Sequence, residues 1–274
     1  MTPQRTVIEP ERSTTRYWAE LWHYRELMAF MAWRDIKVRY RQALLGAGWA
    51  LIQPLLQTIL LTFVFSKLAG MRGGAETPYP LMVLAGLLPW QFFSAAFSGS
   101  SASLSGNSHL ITKVYFPRLV VPLSSLAVAA TDLVLMLLFA LPLCLFLAPA
   151  PGWPLLLLPL FILNTGLLAI GAGLWSCALS IRHRDLRFII PFLLQIGLFA
   201  SPVGYRSDLS SQWHDLLALN PLTACIEGFR WCLLGGDFVL DPRSQLISLA
   251  MTATLLLSGL WLFRRSENHL ADTL

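Results

Sequence analysis

Six apolar runs separated by short polar or basic segments dominate the chain: residues 49–69, 81–104, 119–147, 153–180, 188–204 and 245–263. A helix of about 20 apolar residues crosses a hydrocarbon core of roughly 30 Å. Helices and closed barrels are the structures that satisfy the backbone there. The pattern predicts an all-α polytopic membrane protein with six transmembrane helices. The fifth run is the shortest, and its ends are the least sharply marked.

Residues 16–34 follow a different period. Tyr17, Leu21, Tyr24, Met28 and Met31 recur at four- and three-residue steps, with Glu20, His23 and Glu26 elsewhere. Such a helix is too charged to insert and too apolar on one face to float free. It is expected in the inner headgroup layer, with Trp18, Trp22 and Trp33 as interfacial aromatics. The strip "RDIKVRYR" follows, carrying Arg34, Asp35, Lys37, Arg39, Tyr40 and Arg41. Its cations are expected to stay with anionic inner-leaflet lipids while the next residues enter the bilayer. Gly46 and Gly48 mark the bend, and Pro54 lies in the first turns of the span, where a missing N–H is tolerated. The chain thus divides into an N-terminal tail (1–15), an interface helix with its basic strip (16–45), a six-span domain (46–264) and a C-terminal cytoplasmic tail (265–274).

Composition agrees with this division. With 55% hydrophobic and 13% charged residues, the chain has more apolar surface than a soluble domain of its size can bury. No secretory signal is expected ahead of the spans. With both termini cytoplasmic, the inner segments hold fifteen Lys and Arg and the outer ones five, as the positive-inside rule requires. The net charge of +5 is then topological, and nucleic-acid binding is not needed to explain it.

Two connections carry more pattern than a turn needs. In "GNSHLITKVYFPR" (106–118), Asn107 or Ser108 can cap a short helix and Pro117 can end it. Leu110, Ile111, Val114 and Tyr115 then form an apolar face. The outer connection (205–244) contains two apolar stretches broken at Asn220–Pro221 and closed by Gly235–Gly236. Each is too short to span, so re-entrant or interfacial helices are expected. Glu227 and Arg230, three apart on the second stretch, share a face and can form an exposed pair.

Asp132 is the acidic residue deep inside a span, with no basic residue near its depth. Asn164 is its candidate hydrogen-bond partner, and its role is either structural or that of a proton relay. Gln53 and Gln57 lie four apart, Ser94, Ser98, Ser101 and Ser105 share a face, and Gln195 sits in the fifth run. Close helix packing and a polar path both fit these residues. Trp49, Phe63, Phe65, Trp90, Phe92, Phe93, Phe97, Phe192 and Phe199 form interfacial belts or line a conduit against sugar rings. Cys144 and Cys177 fall within spans. Cys225 and Cys232, about 10 Å apart along a helix, are too distant for a disulfide. All four read as small core residues.

No lysine follows a glycine, so there is no phosphate-binding GxxxxGK[ST] loop, nor is there HExxH, GxSxG or a carboxylate pair. No catalytic or metal site is expected. If nucleotide powers transport, it acts on another chain.

"RDIKVRYRQALLGAGWALIQPLL", "PYPLMVLAGLLPWQFFS", "LITKVYFPRLVVPLS", "RHRDLRFIIPFLLQIGLFASPVGY" and "LNPLTACIEGFRW" resemble, in order, the permease subunits of type-2 ABC exporters. The group most similar exports O-antigen and related cell-surface polysaccharides. The resemblance runs from about residue 30 to the end. It implies a homodimer of six-span subunits in the bacterial inner membrane. Two cytoplasmic ATPase subunits would carry ATP and Mg, and a lipid-linked polysaccharide would move outward. Carried over by position, it implies an interface helix over 16–44 and a coupling helix over 107–117. The coupling segment comprises Asn107, Leu110, Ile111, Lys113, Val114, Tyr115, Phe116, Pro117 and the adjoining Arg118. Outer gate helices map to 211–235, around Asn220, Pro221, Glu227, Arg230 and Trp231. Gln53, Gln57, Trp90, Phe93, Ser94, Phe97, Ser98, Phe192, Gln195 and Phe199 are the channel-lining candidates.

Capsule or teichoic-acid exporters of the same architecture are the neighbouring alternative, although "GLLPWQFFS" and "KVYFPR" favour the O-antigen branch. An ion-coupled secondary transporter is motivated by Asp132 but lacks an internal repeat. A membrane enzyme acting on lipid-linked sugars needs a catalytic His or carboxylate at the membrane surface. His109, His183 and His269 are cytoplasmic in this topology, His23 lies on the interface helix, and His214 has only Asp215 nearby.

Overall fold

The computed structural model describes residues 14–41, 48–71, 77–148, 152–183, 185–206, 211–235, 238 and 240–273. The described residues are all-helical. Two helices, α1 (Thr14–His23) and α2 (Arg25–Arg41), precede α3 (Gly48–Thr62), which runs on as a π-helix over Phe63–Leu68. There follow α4 (Tyr79–Gly106), the short α5 (Ser108–Lys113), α6 (Val120–Leu147) and α7 (Leu158–Arg182), the last entered through a 3-10 turn at Trp153–Leu157. The fold closes with α8 (Leu186–Ala200), α9 (Ser211–Ala218), α10 (Pro221–Leu234) and α11 (Pro242–Thr273).

Five helical segments are long and apolar enough to cross a membrane: Gly48–Leu68, Tyr79–Gly106, Val120–Leu147, Trp153–Ser180 and Pro242–Glu267. They coincide with five of the six apolar runs. The other run forms α8, whose 15 residues extend about 22 Å, less than a typical hydrocarbon core. Pro202 explains the early stop. A residue before proline is driven out of the helical region, and Ser201 is extended, with ψ 146°.

α4 is the central helix, packed on α3, α6, α7 and α10. Its first half, Leu81–Trp90, is buried on all sides. Glycines set the approach of α7 to α11: a Cβ at Gly171 would lie 2.7 Å from the Leu256 backbone nitrogen, and one at Gly259 would lie 2.6 Å from the Gly171 carbonyl. Small residues at such crossings allow the backbone contact that stabilises helix pairs in lipid.

The N-terminal segment expected as one interface helix is two helices. It breaks at Tyr24, and α2 packs along α6. Tyr17 and Met31, on the predicted apolar face, are buried beside Phe116, Leu119 and Phe263, while Trp18, Trp22 and Trp33 are exposed. The bend at Gly46 lies outside the described residues. The C-terminal segment is helical. α11 continues without a break to Thr273, held by contacts described below.

Candidate functional site

Helices α3, α4, α6 and α8 surround a cavity of about 660 Å³. Seven of the ten channel candidates line it: Gln53, Gln57, Trp90, Ser94, Ser98, Gln195 and Phe199. On α4 the helical repeat brings Gln91, Ser94, Ala95 and Ser98 to one stripe. Gln91 donates from Nε2 to Gln57 Oε1, joining α4 to α3. Sequence reading missed Gln91, although it lies three and seven residues before Ser94 and Ser98. Phe93 and Phe97 stack beside this wall, with ring centroids 5.7 Å apart, and Phe192 is exposed on α8. Ser101 and Ser105 take no part in the lining. Their hydroxyls donate to the carbonyls of Phe97 and Ala102. The serine row thus divides between a polar wall and helix packing.

Asp132 stands at the edge of this cavity, twelve residues into α6. Arg39 Nη1 lies 3.0 Å from its Oδ2, and the Tyr40 hydroxyl donates to its Oδ1. The expectation of no basic residue at this depth is therefore wrong. Because α2 rises along α6, its last turn delivers two consecutive side chains to the two carboxylate oxygens. Burial, then the hydrogen bond and charge of Asp132, hold the Tyr40 phenol above its ordinary range, so it stays a donor. Asn164 is occupied elsewhere: its Nδ2 donates to Ser248 Oγ at 3.0 Å and to Cys225 Sγ at 3.4 Å.

Lower on α2, Arg34 donates from Nε to Asp35 at 2.8 Å and from Nη2 to Asn107 Oδ1 at 2.9 Å. Lys37 lies 5.2 Å over the Trp33 ring, and Arg41 is exposed. A second cavity of about 260 Å³ lies between this level and the first. It is lined by Asp35, Asn107 and Ser103 and shares Arg39, Ala95 and Ala129 with the larger one. α2 therefore connects Asn107, before α5, to the cavity wall.

The segment expected to couple to an ATPase forms its helix over Ser108–Lys113, with Asn107 at the N-cap position. The Asn107 amide bonds to Ser103 and Arg34 rather than to a helix N–H. Lys113, Val114 and Tyr115 are exposed, and Leu110 and Ile111 are half-buried against α1 and α2 side chains. Phe116 and Pro117 are buried in the chain's own core, which removes Phe116 from any surface offered to a partner. Arg118 is fixed by α11: its backbone N–H donates to Glu267 Oε1 at 3.1 Å, and Nη1 donates to the Glu267 carbonyl at 2.7 Å. The Tyr17 hydroxyl donates to Glu267 Oε2 at 3.2 Å, while Arg264 lies 4.8 Å over the Tyr17 ring. Glu267 was not singled out in the sequence, where a carboxylate after the last span carries no pattern.

In the outer connection the break at Asn220–Pro221 is a helix start. Asn220 Oδ1 accepts from the Leu222 N–H at 3.0 Å, Pro221 takes the first helical position, and Asn220 Nδ2 donates to Ser201 Oγ at 3.0 Å. Gly235 ends α10 with φ 56°, a conformation that favours glycine. α10 is packed between α4, α7 and α11. Arg230 is 1% exposed, which corrects the reading of an exposed pair. It donates to the carbonyls of Met82 (3.2 Å), Tyr205 (3.0 Å) and Val203 (2.7 Å). Gly86 makes room for it, since a Cβ there would lie 2.9 Å from Nη2. Glu227 is half-buried, and Trp231 packs edge-on against Trp153 at 5.2 Å. Among the described residues no cluster of His, Cys, Asp and Glu is disposed to hold a metal, and the four cysteines are free and buried.

Comparison with known proteins places this architecture. An O-antigen export system permease protein RfbA of Myxococcus xanthus is 30% identical over 258 residues, covering 90% of this chain and 96% of the relative. RfbA of Klebsiella pneumoniae is 26% identical over 257 residues, covering 91% and 95%. The polysialic acid transport protein KpsM of Escherichia coli is 25% identical over 248 residues, covering 85% and 91%. Residues 26–234 match the family model of the ABC-2 type transporter, and the chain belongs to that family.

Proposed function

We propose that this chain is the permease subunit of an ATP-driven exporter. It moves lipid-linked O-antigen, or a related cell-surface polysaccharide, from the cytoplasmic to the periplasmic side of the bacterial inner membrane. The observation that carries the reading is the cavity, whose wall combines Gln53, Gln57, Gln91, Ser94, Ser98 and Gln195 with Trp90 and Phe199. A glycan offers hydroxyls to amides and hydroxyls, and apolar ring faces to aromatic side chains.

The working unit in this reading is a homodimer. α8 exposes Phe188, Phe192, Leu193, Ile196 and Phe199, and α3 with its π-helical continuation exposes Leu56, Ile59, Leu60 and Phe63. A second copy set against α3 and α8 would complete the conduit, with α8 as the short sixth span. Both termini are cytoplasmic, as the basic residues favour, and the exposed tryptophans of α1 and α2 meet anionic inner-leaflet lipids. Two copies of an ATPase, carrying ATP and Mg, dock at Lys113, Val114 and Tyr115. α9 and α10 form the outer gate. Engagement of both Asp132 oxygens supports a structural carboxylate over a proton relay. The similarity to KpsM supports capsule polysaccharide as the alternative reading of the cargo.

Copurification tests the reading. Tagged chain should bring down an ATPase and hydrolyse ATP only in its company. Robust hydrolysis by this chain alone would contradict the permease assignment.

A further inference from the structure

Arg39 is the one cation among the described residues lining the larger cavity, and it also lines the smaller one. Its side chain is 52% exposed, whereas that of Asp132 is 14% exposed. The pair is therefore asymmetric: the aspartate side chain is enclosed, and the arginine side chain is half exposed beside the polar wall. Asp132 has a second donor in Tyr40. If Arg39 turns away, the carboxylate keeps that hydrogen bond, which reduces the penalty for leaving a buried charge without its partner. A guanidinium binds phosphate oxygens at least as well as a carboxylate, through two parallel N–H donors.

We propose that Arg39 and Asp132 form an exchangeable latch, in which the phosphate or pyrophosphate at the lipid end of the cargo displaces Asp132 from Arg39. This rests on the export reading above. Exchange removes one of the two bonds that hold the end of α2 to α6 at the cavity wall, leaving Tyr40 as the remaining tie. The other end of α2 is hydrogen-bonded through Arg34 to Asn107, at the start of the coupling segment. Occupancy of the cavity is thereby reported to the surface where an ATPase would dock. The wall of glutamines and serines beyond Arg39 receives the first sugars.

The test is equilibrium binding of radiolabelled farnesyl diphosphate to the purified permease–ATPase complex, with farnesol as the neutral control. Wild type should bind the diphosphate saturably. Arg39→Gln should weaken it about tenfold or more and Arg39→Lys by less, since lysine is a point charge without the fork. Asp132→Asn removes the competing anion and keeps an oxygen for Tyr40. It should tighten diphosphate binding severalfold, because Arg39 then has no other anion to leave. Farnesol binding should not change in any variant. Displacement by inorganic pyrophosphate supports recognition of the phosphate itself. Failure of pyrophosphate to displace, with Arg39 dependence intact, supports recognition of the lipid-anchored form. Equal displacement by phosphatidylglycerol would overturn the cargo assignment in favour of bulk anionic lipid. Unchanged affinity in Arg39→Gln, or weaker affinity in Asp132→Asn protein that elutes as a folded complex, would overturn the latch. The export reading fails separately, if cells lacking this chain still display the polysaccharide.

Discussion

Arg118 and Glu267, 149 residues apart, are joined twice: the backbone N–H of Arg118 meets the Glu267 carboxylate, and its guanidinium meets the Glu267 carbonyl. Tyr17 adds a third segment to the same carboxylate. The junction ties the interface helix, the coupling segment and the last helix together. Glu267→Ala removes the two carboxylate contacts and should cost about 1–3 kcal/mol. It is expected to lower the thermal midpoint of the purified complex and to reduce export per ATP hydrolysed. Glu267→Gln should fall between the two. An unchanged midpoint and unchanged coupling in Glu267→Ala would show the junction to be idle.

Gly86 and Arg230 make a second pair. Gly86→Ala sets a methyl 2.9 Å from Arg230 Nη2 and 3.2 Å from the Val203 carbonyl, an overpacking that should cost about 1–3 kcal/mol. Arg230→Met keeps bulk but strands buried carbonyls after α8, at about 3 kcal/mol or more. Both losses should appear as lower thermal midpoints, the second with faster proteolysis near residues 201–206. Wild-type midpoints in both would refute the packing described.

The coupling segment separates into surface and core. Tyr115→Ala is expected to leave the fold intact while weakening ATPase association or uncoupling hydrolysis from export. Phe116→Ala should instead destabilise the permease by about 3–5 kcal/mol, as truncation of a buried aromatic does. Complex yield on a size-exclusion column and thermal midpoint distinguish them. Identical behaviour of the two variants would contradict the division.

The gate prediction is narrowed by burial. Within α10, Pro221, Glu227 and Trp231 are half-buried, and Leu222–Ile226 and Gly228–Arg230 are enclosed. Cysteines at Glu227 and Trp231 are expected to crosslink across the homodimer at rest and to block export, whereas one at Ile226 should not. The native thiols, being buried, should stay unlabelled. Absence of crosslinks at both positions, with free periplasmic labelling of the segment, would place the gate elsewhere.

These contacts mark where a sequence stops speaking. Apolar runs, the helix start at Asn220–Pro221 and the polar stripe through Ser94 and Ser98 are local patterns with fixed periods, and they were readable. The partners of Asp132 were not, because they depend on α2 climbing along α6. Charge and tryptophan content along α1 and α2 describe a helix lying flat. Arg230 was misplaced for a related reason: the carbonyls of Met82, Val203 and Tyr205 that hold it are backbone groups, which leave no trace in side-chain identity. α11 ran past its apolar stretch because Glu267 has partners in segments far away in the chain. The Pro202 stop that shortens α8 was a legible signal, but the continuing apolar residues concealed it.

The central claim, outward transport through the Gln–Ser–Trp cavity, is tested most directly in inverted inner-membrane vesicles from cells making the polysaccharide. Added ATP should carry lipid-linked chains into the lumen, where an added glycosidase no longer reaches them. The double substitution Gln57→Leu, Gln91→Leu should slow this protection about tenfold, as loss of two polar contacts to a bound glycan would, with normal complex yield. Polysaccharide that stays accessible to the glycosidase despite active hydrolysis by wild-type complex, or protection unaffected by the double substitution, would contradict it.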